Sequence, residues 1–284
     1  MTKQTTAASM RVAIARVVRS HQAGFYVHHL KPRLPAAVWR PASSRLLWLP
    51  VHASVIVVAT LASAQRWLPW PCLPLLSLMI GLSFAGLMFL GHEVMHGALL
   101  RGRWARMLVG GLCFAPLCVS PHLWTLWHNR IHHANANRID VDPDMYASLD
   151  TYRNSRTARF TIDNFALGGR RWRGLLSIVL GFSVQSTKLL VTARARLRIS
   201  PRAHVCAIAE TLAVSASWIA IACAIGASAF VFAFVLPVLV ANAVVMSFIV
   251  TNHSLCSASD VNDPMISALS VTTARWIEWL TLDF

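Results

Sequence analysis

Four long apolar stretches divide the chain. They cover Leu46–Ala64, Cys72–Gly91, Val205–Ile225 and Ala229–Val250. A helix of about 20 apolar residues crosses the roughly 30 Å hydrocarbon layer of a bilayer, so each stretch predicts a transmembrane helix. Glu210, in the third stretch, is the only charged residue among the four.

The connections between these stretches are short within each pair. Gln65–Pro71 joins the first pair and Gly226–Ser228 joins the second, so each pair predicts a tight helical hairpin. Two further apolar stretches are less suited to crossing, because Leu108–Val119 is short and Leu175–Leu190 contains Lys188 between flanking arginines. We expect both to form helices that lie in or dip into the interface. The pattern predicts an all-α integral membrane protein with four transmembrane helices in two hairpins.

The composition changes this picture little. Of the 284 residues, 56% are apolar and 13% are charged, and the mean hydropathy is +0.53, which excludes an ordinary soluble enzyme. Of the 26 Lys and Arg, 8 precede Leu46 and 16 lie between Arg101 and Arg202. By the positive-inside rule, we expect both termini and the long middle segment in the cytoplasm.

The formal charge of +15 bears on the partners. Basic residues in short loops beside spans favour contact with anionic membrane lipid and docking of an acidic soluble protein, and they argue against nucleic acid. We interpret residues 1–45 as a basic cytoplasmic N-terminal segment and residues 46–284 as the membrane domain.

Two histidine clusters carry the candidate chemistry. The first is His92-Glu-Val-Met-His96, directly after the second stretch, and the other is His128-Asn-Arg-Ile-His132-His133. Residues four apart share a face of an α-helix, so each cluster can present two imidazoles to one metal ion. His133 points about 100° away from its neighbour on such a helix, which favours a second metal ion close by. We therefore expect a histidine-rich cap that holds metal at the cytoplasmic surface.

His253 is a sixth candidate ligand, because the predicted topology places it after the fourth stretch on the same side. Its alternative role is to cap the helix end together with Asn252. The remaining histidines, His122 among them, are predicted to be surface or packing residues. Imidazole ligands suit iron, copper or zinc, so the spacing alone leaves the metal open.

Several polar residues near the clusters are candidates for orienting the ring N–H groups of metal-bound histidines. Helix capping and turn formation are alternative roles for the asparagines and aspartates among them. These residues are Glu93, Asn135, Asp140, Asp142, Asp144 and Asn252.

From about Leu46 to Phe284 the chain resembles the membrane fatty acid desaturases. His92-Glu-Val-Met-His96-Gly is similar to the first histidine box of that family, and His128-Asn-Arg-Ile-His132-His133-Ala-Asn135 is similar to the second. Further similar stretches are Asp140-Val-Asp142-Pro-Asp144, Thr251-Asn252-His253-Ser254-Leu255, Asp260-Val-Asn262-Asp263-Pro264 and Trp276-Ile-Glu278-Trp279-Leu280-Thr281-Leu282-Asp283-Phe284.

The resemblance implies a protein whose histidine boxes hold two iron ions. It also implies that the reduced site uses O2 to remove two hydrogens from adjacent methylenes of a fatty acyl chain, which lies in an apolar tunnel between the spans. An external ferredoxin or cytochrome b5-like donor would supply the electrons, since the chain shows no flavin, nicotinamide or haem motif. Short loops and the lack of a fused donor domain favour a bacterial inner membrane.

In the family, the stretch that resembles Trp276–Phe284 leads directly into a third histidine box. The domain over residues 46–284 is thus expected to be incomplete at its C-terminal end. Because a missing box would deprive at least one iron of ligands, we expect a chain that ends at Phe284 to be inactive or severely impaired alone.

Three other interpretations stay open. A hydroxylase or ketolase acting on a lipid, sterol or carotenoid would use the same scaffold, since the outcome depends on how the substrate is placed. The chain could also be a truncated remnant without catalysis. Finally, His92 and His96 could bind zinc with Glu93 as the general base of an intramembrane metalloprotease.

Overall fold

The structure is a computed structural model, and it describes residues 23–139, 141–145, 147–167, 172–254, 263 and 272–280. Helices dominate, and no strand occurs in these described ranges. The α-helices are α1 (Ala23–Leu30), α2 (Trp48–Ala64), α3 (Leu73–His96), α4 (Arg103–Phe114), α5 (Pro121–Trp124), α6 (Leu149–Asn154), α7 (Arg156–Phe165), α8 (Leu176–Arg196), α9 (Pro201–Ile225), α10 (Ala227–Phe230), α11 (Leu236–Ser254) and α12 (Arg275–Leu280).

Tighter and wider helical turns extend several of these elements. Two π-helical segments, Thr125–His132 and Val231–Val235, continue α5 and α10 respectively. Short 3₁₀ turns cover Lys31–Arg33, Ala36–Trp39, Ser43–Leu47, Trp70–Cys72, Ala115–Leu117 and Trp172–Leu175.

The predicted all-α membrane architecture is confirmed, but the count of four spans is not. Five helical stretches in the described part of the chain are long and apolar enough to cross a membrane, namely Ser43–Ala64, Trp70–His96, Trp172–Arg196, Pro201–Ile225 and Ala227–Asn252. The additional one is Trp172–Arg196, which contains the stretch Leu175–Leu190 that the sequence predicts to lie in the interface. Its exposed Lys188 is compatible with a membrane span, because a long basic side chain can place its charge at the membrane surface.

The stretch Leu108–Val119 lies in a broken helical pair. The segments Arg103–Leu117 and Pro121–His132 together are long and apolar enough to cross, but they are bent by 104° at the break. A bend of this size is typical of a broken span or a re-entrant segment. Cys118, at the break, has a φ of 55°, in the left-handed region.

The chain divides into two compact units. One consists of Met1–Arg40, Arg130–Arg159 and Phe248–Thr272, and the other of Pro41–Asn129, Phe160–Ser247 and Thr273–Phe284. In the first unit, the Tyr26 hydroxyl donates to Asp263 at 3.0 Å, which ties α1 to a residue far along the chain. The predicted division into residues 1–45 and 46–284 stays a prediction.

Helix α3 is the centre of the second unit. In its most apolar 18-residue window 67% of the residues are buried, the largest share among the candidate spans. Three glycines spaced five residues apart, Gly81, Gly86 and Gly91, let neighbouring side chains pack onto its backbone. A Cβ atom at these positions would meet Val240, His52 and Phe114, respectively, at 2.5 Å. Small residues of this kind allow close helix packing in membranes.

The last turn of α3 is fixed by Gly97, which follows His96 directly. Gly97 has a φ of 80°, its N–H donates to the Val94 carbonyl at 3.0 Å, and the next N–H donates to the Glu93 carbonyl at 3.1 Å. This pair of bonds is a Schellman motif, which needs a left-handed residue and therefore favours glycine. The helix consequently ends at His96, the last residue of the first histidine cluster.

We predict that Gly81→Ala destabilises the protein. A Cβ there would meet the Val240 side chain and lie 2.9 Å from the Pro237 carbonyl oxygen, which is backbone and cannot rotate away. Overpacking of this kind costs about 1–3 kcal/mol, so the melting temperature in detergent should fall. Gly111→Ala is the control, because its Cβ would meet Pro121 at an ordinary 3.5 Å. Equal melting of both variants with wild type would contradict the packing described for α3.

Candidate metal centre

Three imidazoles converge in the second unit. His92 and His96 stand one turn apart at the end of α3, and His128 lies in the π-helix Thr125–His132. The Nε2 atoms of His92 and His128 are 2.9 Å apart, and those of His96 and His92 are 3.2 Å apart. One nitrogen from each ring thus faces a common point.

This geometry fits a metal ion. Nitrogens that bind one ion at about 2.1 Å and at right angles to each other lie about 3.0 Å apart. The two Nε2–Nε2 distances of 2.9 and 3.2 Å match that separation. The three ligand atoms all lie within 4.8 Å of one another, which allows them to bind one ion together. Imidazole is a ligand for iron, copper and zinc alike, so the donor set is compatible with iron.

Aromatic packing holds His128 in place. The Trp124 ring stacks on the His128 ring with centroids 4.4 Å apart and planes 28° apart, and it meets His92 edge-on at 5.9 Å. Trp124 also contacts Phe114 of α4 at 4.8 Å. His128 is buried, His92 is half-buried and His96 is exposed. The cluster therefore has one side against apolar rings and another side open.

Two polar contacts lie beside the histidines, and one of them connects two helix ends. The Asn129 side-chain amide donates to the Met95 carbonyl at 3.1 Å, which ties the residue after His128 to the last turn of α3. Glu93 Oε1 lies 3.7 Å from His92 Nδ1, which is longer than a hydrogen bond but close enough for an electrostatic contact. The amide contact joins the elements that carry the three histidines.

The second histidine cluster adopts a π-helix where the sequence predicted an α-helix. The segment Thr125–His132 carries His128 in its first half and His132 as its last residue. Single stretches of π-helix are rare and recur at functional sites. His133 follows the helix, is exposed, and has its ring centroid 5.2 Å from that of His132.

In the first unit, His132 is held by carboxylates. Its Nδ1–H donates to Asp142 Oδ1 at 2.7 Å, and Asp144 Oδ2 lies 3.4 Å from the same nitrogen. With Nδ1 protonated, a neutral ring carries its metal-binding lone pair on Nε2. A carboxylate behind a histidine is the usual partner that fixes this tautomer in metal sites.

Asp142 is itself supported by the backbone. Its Oδ2 accepts the Asn137 N–H at 2.8 Å, and its Oδ1 accepts the Asp144 N–H at 2.9 Å. Burial alone would raise the pKa of Asp142, but the hydrogen bond from His132, its charge and these two N–H groups hold the pKa below its usual value. Asp142 is therefore a carboxylate at neutral pH. Asn137 contributes with a φ of 58°, a left-handed conformation that asparagine tolerates.

The other predicted residues are placed as follows. The Asn135 amide donates to the Ile131 carbonyl at 2.8 Å and its oxygen accepts from Arg138 at 3.2 Å, the contacts of a helix-end residue. Asn252 is half-buried near the end of α11. His253 belongs to the backbone of the same helix, but its side chain lies outside the described residues, as does all of Asp140.

Two residues of the site were missed from the sequence. Trp124 precedes His128 by four positions, the spacing of residues that share a helix face, and this spacing was an available signal. Asn129 offered no such signal, since its contact with Met95 depends on how two separate helices pack.

The fold and the site together define an integral membrane protein with a histidine cluster that can hold a metal. The sequence profile of the family described as "Fatty acid desaturase" matches residues 66–284. Because this match covers most of the chain, the chain belongs to the fatty acid desaturase family, whose members are di-iron proteins.

Individual relatives are similar over parts of the chain. It is 33% identical to the sn-1 oleoyl-lipid 12-desaturase of Synechocystis sp. over 109 residues, which cover 38% of this chain and 30% of that protein. It is 30% identical to the sn-1 acyl-lipid omega-3 desaturase (ferredoxin) of Nostoc sp. over 122 residues, 43% of this chain and 34% of that protein. The similarity thus spans about a third of the length of these relatives.

We predict that Asp142→Asn weakens metal binding. The asparagine side chain has the same size, but only one of its two terminal atoms can accept hydrogen bonds. It therefore loses at least one of the bonds that Asp142 accepts from His132, Asn137 and Asp144. Loss of such a supporting partner lowers metal affinity about 10- to 100-fold. Co²⁺ binding to the detergent-solubilised protein, followed by visible absorption, measures the effect. The control Asp150→Asn removes the same charge from an exposed position, and an equal loss of affinity there would refute the role of Asp142.

Proposed function

We propose that this chain carries out O2-dependent, di-iron desaturation of a fatty acyl chain. The observation that carries the proposal is the convergence of His92, His96 and His128 at 2.9 and 3.2 Å within the segment that matches the desaturase family. The similarity to oleoyl-lipid and acyl-lipid desaturases supports a lipid-bound acyl chain as the substrate.

We assign the iron ligands to the six histidines His92, His96, His128, His132, His133 and His253. Iron supplies the oxidation, in which O2 and two electrons are consumed and two hydrogens leave adjacent methylenes. The residues of this chain position the metals and shield them. Trp124 covers one side of His128, and Asp142 fixes the tautomer of His132.

A cavity in the second unit supports an acyl substrate. It has a volume of about 360 Å³ and is lined by Leu123, Leu190 and Val238 among other residues. A second cavity of about 600 Å³, lined largely by apolar side chains such as Trp218 and Phe234, shares Phe234 with the first. Both volumes are in the range of small-molecule sites, about 300–1,000 Å³. Leu123 precedes Trp124, so the first cavity adjoins the residue that packs on His128.

Electrons come from an external donor of the ferredoxin or cytochrome b5 type. Nostoc sp. contains a relative that is named as a ferredoxin-type acyl-lipid desaturase. Arg101 and Arg103 are exposed directly after the helix that carries His92 and His96. A basic face beside the metal centre suits an acidic donor, because opposite charges speed association.

We also propose that the metal centre and both termini face the cytoplasm of a bacterial inner membrane. The basic residues between Arg101 and Arg202 support this orientation by the positive-inside rule. A hydroxylase or ketolase on the same scaffold is the alternative to be separated by experiment. The family match lends no support to a zinc protease.

The test is lipid analysis of a bacterial host that expresses the chain together with a ferredoxin and its reductase. The proposal predicts new double bonds in the acyl chains, and His128→Ala should abolish them because it removes one of the three convergent nitrogens. His29→Ala is the control, since this histidine is exposed and hydrogen-bonds the Phe25 carbonyl of its own helix.

The outcomes distinguish the candidate functions. New hydroxyl or keto groups in place of double bonds would favour the hydroxylase. Iron bound by the purified protein without any lipid change would favour a non-catalytic remnant, and a product that persists in His128→Ala would refute the assigned centre.

A further inference from the structure

Glu210 is an acidic residue within a candidate membrane span. It is the only acidic residue of α9 and stands about 14 Å along the helix from Pro201, at 1.5 Å per residue. A carboxylate at such a position is costly unless hydrogen-bond donors hold it, and such residues are usually functional. Its contacts therefore indicate what it does.

The donors come from a single turn of the chain. The Ser120 hydroxyl donates to Glu210 Oε2 at 2.5 Å, and His122 Nδ1 pairs with Oε1 at 2.5 Å. Ser120 lies in the break between the two helical segments that are bent by 104°, and His122 lies in the first turn after it. Glu210 thus holds the bend that precedes His128 in the chain.

A second contact fastens α9 to the same bend. The indole N–H of Trp218 donates to the Ala115 carbonyl at 3.0 Å. Cys118 has the left-handed φ of 55° that lets the chain turn. Two side chains of one helix therefore hold this turn, and Glu210 holds the end nearer the metal centre.

The turn leads directly to the metal ligands. Ser120 is the N-cap of α5, and its oxygen accepts the Leu123 N–H at 3.1 Å while its proton goes to Glu210. The carboxylate therefore orients the hydroxyl so that its lone pair faces the helix. The last residue of α5 is Trp124, which stacks on His128 and meets His92 edge-on.

We propose that Glu210 is a positioning residue of the metal centre, which acts through the Ser120–Trp124 turn on His128. The inference rests on the proposed function, because it concerns the centre that would hold iron. No contact joins Glu210 to a metal ligand directly among the contacts described here. Its effect passes through the start of α5 and the Trp124 ring.

The experiment compares Co²⁺ binding and thermal melting in variants of the detergent-solubilised full chain. Glu210→Leu removes both acceptors while keeping an apolar side chain of similar size, and it should lower Co²⁺ affinity about tenfold or more and change the visible spectrum of the bound ion. Glu210→Gln should restore most of the Co²⁺ affinity and of the visible spectrum. Its side-chain oxygen can accept from Ser120, and its amide can donate to His122 Nδ1.

Asn242→Leu is the matched control. Asn242 is a fully buried polar residue in α11 that bonds the Ser183 backbone N–H and hydroxyl, each at 2.9 Å, and thus ties two other helices together. This variant should lower the melting temperature but leave the affinity and spectrum of Co²⁺ unchanged. A merely structural role of Glu210 would give both variants the same pattern.

Each result decides the inference. Wild-type affinity and spectrum in Glu210→Leu would overturn it, and so would an equal spectral change in Asn242→Leu. If Glu210→Leu does not fold, Ser120→Ala removes the same link from the other side and must show the spectral change in a milder form. A wild-type chain that binds no Co²⁺ would refute the proposed centre itself, which separates that failure from failure of this inference alone.

Discussion

The metal centre depends on one constraint: two helix ends must bring the nitrogens of His92 and His128 to within 2.9 Å. Gly97 ends α3 directly after the first cluster, so that both its histidines stand in the last, partly open turn. Gly91 allows Phe114 of α4 to pack closely on α3. The chain beyond α4 can then turn back across this end and present His128. Backbone features thus set the ligand geometry before any metal binds.

Where the backbone of the candidate spans is irregular, side chains donate hydrogen bonds to its carbonyl groups. A carbonyl exposed by a bend cannot find water in hydrocarbon, so it needs a donor from the protein. Trp218 supplies one to Ala115 at the 104° bend, and Ser77 donates to the Phe232 carbonyl at 2.7 Å in the π-helical segment before Pro237. The two distortions follow the same rule, and the bend that leads to the metal centre is the more heavily fastened of the two.

Local patterns in the sequence account for most of the fold and part of the candidate site. Hydropathy located four of the five candidate spans, and the four-residue spacing of His92 and His96 predicted that they share a helix face. The fifth candidate, Trp172–Arg196, contains the stretch that the sequence assigns to the interface, because a single lysine and flanking arginines outweighed its apolar residues. The sequence left Asp140, Asp142 and Asp144 equivalent, and only the folded turn around Asn137 makes Asp142 the acceptor for His132. Contacts such as that of Asn129 depend on packing between distant segments and have no local signature.

The types of ligand follow the polarity of their surroundings. His128 lies against the Trp124 ring, where a carboxylate would lose its hydration before a metal ion arrived to compensate it. A neutral imidazole avoids most of that cost, so an apoprotein with imidazoles there can fold first and bind metal later. Asp142 stands where two backbone N–H groups and the His132 ring are available to hold its charge. The Asp142 carboxylate therefore stands in a segment that can stabilise it, and there it acts on the metal site through His132.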